Sequence, residues 1–182
     1  LGLVLFMGLL GRLNRSVAIE LAEQQYLALF IAQKCLPFLR EGMENRTAMQ
    51  KAVDTVQEIL TEFQVALTSL EQVVAVSGMW LDDAPLLPPA RRAIEEGKLV
   101  VERGGCETCG PDWAVIAAPL AWRGEIMGTL ILCVPQGPNL ILEADCRIAE
   151  GLAQMFSSML ELGEFQLQIQ LRQQAELRAL QS

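Results

Sequence analysis

Cys106 and Cys109 are the residues whose type and spacing point most directly to chemistry. They lie in the stretch Gly104-Gly105-Cys106-Glu107-Thr108-Cys109-Gly110-Pro111. A Cys-x-x-Cys spacing lets both thiolates reach one metal ion, or each other. Zinc or an iron–sulfur cluster wants four soft ligands, and only two are local. Cys133 and Cys146 are distant in sequence, and a symmetric dimer would supply a second pair. A redox disulfide is the other functional option. It needs thiolate character, and Arg103 is the only basic residue nearby. The third reading is a glycine-rich loop whose two thiols have no special task.

Other residue types narrow the field. The chain has no histidine, which removes the commonest general base and the commonest metal ligand together. A Ser-His-Asp or Cys-His pair cannot exist within one such chain, nor can a mixed Cys/His zinc site. Asp82 and Asp83 are adjacent carboxylates in a proline-flanked loop, a pattern that reads as a solvated turn. Arg91-Arg92 reads as the solvated face of a short helix. A net charge of −8 with no cluster of Lys and Arg argues against nucleic acid, since phosphate neutralisation needs one. Five cysteines, an odd count, do not make a secreted disulfide scaffold and fit a reducing cytoplasm.

These residues must be held by a core, and 52% hydrophobic composition over 182 residues supplies ample material for one domain with extensions. The stretch from Trp113 to Val134 is its centre. Two apolar strands, residues 114–121 and 125–134, flank a tight turn at Trp122-Arg123-Gly124, where Gly124 supplies the positive φ of a short hairpin. Pro119 and the Arg-Gly-Glu break argue against a helix there.

Elements on either side follow from periodicity and punctuation. The opening LGLVLFMGLLG is eleven apolar residues, followed by Arg12 and Arg15. It is shorter than the roughly 20 residues that cross a bilayer. It reads either as a buried helix or, preferably, as the tail of a truncated transmembrane helix with its basic flank on the cytoplasmic side. Residues 13–40 are helical by their three- and four-residue apolar steps, with Pro37 and Gly42 as stop signals. A second amphipathic helix starts at Thr47 as N-cap and covers the sheet. Residues 64–70 and 73–77 form a hairpin. Residues 89–96 form a short helix with Pro89 in its first turn and Gly97 at its close. Residues 98–102 form another strand.

Residues 143–181 make one long helical pattern. Ile148, Leu152, Met155, Met159 and Leu162 follow the 4-3-4-3 spacing of a coiled-coil seam, which weakens at Gln166 and Gln173 before Leu180. Its first half suits packing on the chain's own sheet. Its second half is expected to pair with another chain, giving a homodimer. Helices at both ends of a mainly antiparallel sheet make an α+β domain.

This order, with Gly124-Glu125 followed by Ile126-Met127-Gly128-Thr129-Leu130, resembles a GAF sensor domain, a fold related to PAS. Cys35-Leu36-Pro37-Phe38-Leu39-Arg40-Glu41-Gly42 resembles the segment preceding GAF in LytS-type sensor histidine kinases. Gln174-Ala175-Glu176-Leu177-Arg178-Ala179-Leu180-Gln181 resembles the lead-in to the phosphoacceptor block of that family. The resemblance implies the end of a membrane helix at 1–12, a linker helix at 13–42, a GAF domain at 43–142 and a signalling helix at 143–182. It implies a kinase domain in cis and a response regulator as partners of the parent protein, at the cytoplasmic face of a bacterial inner membrane. The family's phosphoacceptor His, ATP-binding Asn and glycine-rich boxes have no counterpart here, so this stretch carries no kinase catalysis of its own. Family members often have a Gly-rich, His-containing loop after the second strand. This chain has Gly78-Met79-Trp80-Leu81-Asp82-Asp83 instead.

A GAF-type fold further implies a small-molecule pocket between the sheet and the loops. The candidate lining is Trp80, Trp113, Ile116 and Ala118, with Ser77 and Asp112 as polar contacts; the tryptophans could equally fill the core. The leading functional expectation is a sensor and transmission module of a two-component histidine kinase. The alternative is a stand-alone thiol redox enzyme resembling the free methionine sulfoxide reductases, using Cys106 and Cys109. An effector domain of a transcription regulator is a third reading, lowered by the lack of a DNA-binding motif.

Overall fold

The computed structural model describes residues 2–77, 86–104, 111–135 and 142–182, with the side chains of 5–22 and 142 left aside. Nine elements occur among them: α1 (Gly2–Leu39), α2 (Arg46–Ile59), β1 (Gln64–Thr68), β2 (Val73–Val76), α3 (Pro88–Glu96), β3 (Val100–Arg103), β4 (Trp113–Trp122), β5 (Glu125–Pro135) and α4 (Leu142–Gln181). The strands form one sheet in the order β2-β1-β5-β4-β3, and every neighbouring pair is antiparallel. The expected α+β class and the two hairpins hold.

The hairpin of β4 and β5 is central because its residues are apolar on both faces. Ala114, Ile116, Ala118 and Leu120 alternate with Val115 and Ala117, and all six are buried. Even-numbered residues of β4, with Leu130, Leu132 and Val134 of β5, meet α1, α2 and α4. Val115, Ala117, Ile131 and Cys133 face the other way, against Leu86, Ala90 and Ala93 around α3. Two cores therefore share one pair of strands. The turn between them has two residues, Arg123 at φ 54° and Gly124 at φ 78°. Two successive positive values fit the primed turn that matches strand twist. Glycine meets that demand at the second position, and Arg123 meets it at the first with a side chain in place.

Pro119 is tolerated in β4 because β3 pairs only as far as Ala117, so the missing donor falls where one neighbouring strand has ended. The β1–β5 ladder closes at a buried pair, Thr68 opposite Thr129, whose hydroxyls lie 2.6 Å apart. Beside it, a Cβ on Gly128 would run into the carbonyl oxygen of Thr68. The Gly-Thr-Leu step thus has a physical meaning. Glycine admits the neighbouring backbone, threonine satisfies threonine, and Leu130 fills the core.

The segments expected at 1–12 and 13–42 share one continuous helix, α1 from Gly2, and among the described residues no helix is long and apolar enough to cross a membrane. Two boundaries differ from the sequence reading. Pro37 sits inside α1, which runs on to Leu39 before Gly42 turns away at φ 90°. The N-cap of α2 is Asn45 rather than Thr47. Its Oδ1 accepts from the Ala48 N–H at 3.1 Å, satisfying one of the orphan donors of the first turn. The short helix behaves as read, with Pro88 and Pro89 in its first turn and Gly97 left-handed at φ 66° as its cap.

Candidate functional site

The two long helices run side by side in the same direction. Ala28 of α1 is level with Gly151 of α4, where a glycine Cβ would stand 3.2 Å from the Ala28 Cβ. Twelve residues further along both helices, Gly163 meets the backbone of Arg40. A side chain at Gly163 would strike the Arg40 carbonyl, so glycine is what allows the end of α1 to touch α4. Met155 and Met159, spaced by four between the two glycines, are partly buried against the same core.

Below Gly163, α4 is held by the body of the domain. Ile148, Ala149, Leu152, Ala153, Phe156 and Leu160 are buried. Ser157 ties the helix to the sheet: its hydroxyl accepts from the Ala121 N–H at 3.0 Å and donates to the Ala153 carbonyl at 2.6 Å. Above Gly163 the support ends, and every residue from Leu167 on is exposed. Leu162, Phe165, Ile169 and Leu180 leave a ladder of large apolar side chains in solvent. The two halves of the helix match the division expected from the seam. The buried stripe takes in the seam residues Ile148 and Leu152 and then runs through Phe156 and Leu160, one position round from Met155 and Met159.

Among the described residues, the sequence-predicted pocket residues do not converge on one cavity. Ile116 and Ala118 are fully enclosed on the face covered by α1, α2 and α4. Trp113 packs half-buried against the core around α3, so the sheet separates it from them. Asp112 is exposed. Ser77 is spent on structure: its Oγ accepts from the Val65 N–H at 2.8 Å and donates to Gln57 Oε1 at 2.7 Å. Next to it, Gln50 grips the outer edge of β2, donating to the Val76 carbonyl at 2.7 Å and accepting from the Val76 N–H at 3.3 Å. A side-chain amide thereby stands in for a further strand. Trp80 and the Asp82-Asp83 pair lie outside the described residues.

Cys106 and Cys109 also lie outside them, with whatever zinc, iron–sulfur or redox role they have. The other three cysteines, Cys35, Cys133 and Cys146, form no disulfide among the described residues and do not gather. Cys35 is in the helix-side core and Cys133 in the core around α3. Among the described residues no group of three or more Cys, Asp or Glu could hold a metal ion. Burial pushes the Cys35 thiol up to about 12, and its Sγ donates to the Ala52 carbonyl at 3.5 Å. The half-buried Cys146 is raised first by burial, then by the carboxylates of Asp145, Glu150 and Glu143, with Arg103 opposing. All this favours the protonated thiol at neutral pH, the unreactive form. Iodoacetamide at neutral pH is therefore expected to modify Cys146 slowly, and Cys35 and Cys133 only on unfolding. Prompt labelling of Cys35 in folded protein would refute the packing around it.

A five-stranded antiparallel sheet with α3 on one face, and α1, α2 and α4 on the other, is the architecture of a GAF domain. No protein-family model matches the chain. Among solved structures it superposes on the A. aeolicus GAF domain in an inactive state at a TM-score of 0.63, with 12% identity, over 76% of this chain and 98% of that one. It also superposes on the free methionine-R-sulfoxide reductase of Neisseria meningitidis, crystallised with its substrate, at 0.59 and 15% identity, over 77% and 92% of the two chains. At such identities the likeness is one of fold.

The sequence relatives are more specific, and they make this a GAF module of the LytS sensor type. The chain is 32% identical to the sensor protein LytS of Bacillus anthracis over 171 residues, 88% of this chain. It is 31% identical over 172 residues to the sensor histidine kinase/phosphatase LytS of Staphylococcus aureus strain Mu50. It spans 29% of the length of these curated relatives. Against relatives of this kind, the reductase is the weaker reading.

Proposed function

We propose that this chain is the transmission module of a membrane-bound two-component sensor histidine kinase. The continuous, parallel pairing of α1 with α4 through Gly151 and Gly163 carries that reading. Input reaches the GAF domain along α1, from a membrane segment ending near residue 12. Output leaves along α4, beyond residue 143, toward a kinase domain in cis that phosphorylates a response regulator. The domain then sits on the cytoplasmic side, and a small molecule on the α3 face of the sheet, near Trp113, would be a second input.

The output half of α4 pairs with the same segment of a second copy. A helix draws most of its stability from packing of an apolar face, and the exposed Leu162, Phe165, Ile169 and Leu180 supply such a face for a partner helix. Gln166 and Gln173 interrupt that face, so two pairings of similar energy are available and the input selects between them. Replacing both by leucine is expected to tighten dimerisation of this chain at least about tenfold, and to fix the autophosphorylation of the parent kinase at one level. A double variant with the dimer affinity and kinase output of the starting protein would sink the proposal.

A further inference from the structure

Among the described residues Arg123, at φ 54° in the turn between β4 and β5, is the only non-glycine residue with a positive φ. Asparagine and glycine adopt that conformation more readily than arginine does. Such an outlier persists where its surroundings have a use for it. Three further features bring this hairpin tip to α4. The β4–β5 register shifts between Leu120 and Ala121, and the Ala121 N–H there donates to Ser157 of α4. Trp122 packs against the helix-side core. Arg123 itself lines a cleft of about 260 Å³ with Ser158, Glu161, Leu162 and Phe165. It is the one base on that lining, and α4 has none between Arg147 and Arg172.

We propose that Arg123 is a positioning residue through which the sheet holds the exit of α4, its guanidinium on the Glu161 carboxylate and its stem along Leu162 and Phe165. Glu161 and Gly163 stand about 200° apart round the helix, at about 100° per residue. The turn and the end of α1 therefore meet α4 on opposite sides, at the level where its other support ends. The inference takes its meaning from the transmission reading and adds a second hold to it. Strands β4 and β5 line both cores, so a change on the α3 face reaches α4 through the turn without passing along α1.

Amide exchange and thermal unfolding of the 182-residue chain test this together. Arg123→Asn makes the turn Asn-Gly, a preferred primed pair, so the melting temperature is expected to hold or rise. The same variant is expected to speed exchange of the amides of residues 161–165 about two- to fivefold, the range of one exposed charge pair. A tighter turn with a looser helix exit is a combination that a purely structural arginine does not give. Arg123→Lys, which keeps the charge, is expected to recover part of the protection. Once Glu161→Gln is in place, Arg123→Asn is expected to change exchange little, as a double-mutant cycle reads. Unchanged exchange at 161–165 in Arg123→Asn overturns the inference, and so does an equal effect of that change with and without Glu161→Gln. Failure of the transmission reading is seen separately, by sedimentation: a chain that stays monomeric removes the output dimer and leaves this contact, made within one chain, to the exchange data.

Discussion

Gly128→Ala is expected to lower the melting temperature by roughly 6–12 °C. The added Cβ has nowhere to go, since the Thr68 carbonyl oxygen already occupies its place. That atom belongs to backbone held by the β1–β5 ladder and by the Thr68–Thr129 hydroxyl contact, so no side chain can swing aside. Overpacking of this kind costs about 3 kcal/mol. For a chain of this size each kilocalorie moves the midpoint by about 2–4 °C. Gly124→Ala is the control. It has open space around it and a positive φ of 78°, so its cost is confined to local backbone strain of about 1 kcal/mol. Thermal unfolding followed by circular dichroism separates the two. Equal losses at both positions would mean that the close approach of β1 to β5 is not what glycine serves.

Gly163→Leu is the second large effect. It drives a side chain into the Arg40 backbone, at the level where α1 ends and α4 goes on alone. The end of α1 is expected to lift away, at a cost of about 2–3 kcal/mol. Amide exchange should report it locally. Amides near the end of α1, whose bonds include Arg40 N–H to the Leu36 carbonyl at 3.1 Å, are expected to lose protection, while those of β4 and β5 keep theirs. Under the transmission reading, the same change in the full-length protein is expected to uncouple output from stimulus without removing catalysis. Retained protection around Arg40 would show that the helices do not need this contact.

The sequence made the element order legible because its punctuation is local. Pro88-Pro89 and Gly97 bracket α3, Gly124 marks the central turn, and Gly42 ends the first helical block. What it obscured depends on distant partners or on weighing two signals. Asn45 and Thr47 are both good caps, and only the Ala48 N–H shows which one is used. The division expected at residue 12 rests on a change of composition, which a continuous helix backbone does not itself mark, being indifferent to whether its side chains are apolar or charged. The pocket assignment mixed Trp113 with Ile116 and Ala118 although odd and even positions of a strand face opposite ways; that signal was present and outweighed by the family expectation. Gly151 and Gly163 gave no local sign at all. Their meaning lies in a neighbour more than a hundred residues away in the chain.

The level spacing of those two contacts, twelve residues on each helix, sets a rotational phase. An α-helix turns about 100° per residue, so Gly163 fixes the angular position of every side chain that follows it. Under the transmission reading, one residue inserted above Gly163 turns the output face by more than a quarter of a circle. Seven bring it back to within about 20°. The GAF domain then serves its parent as an indexing hub, delivering a particular angle, and the message in α4 is which face it turns to its twin.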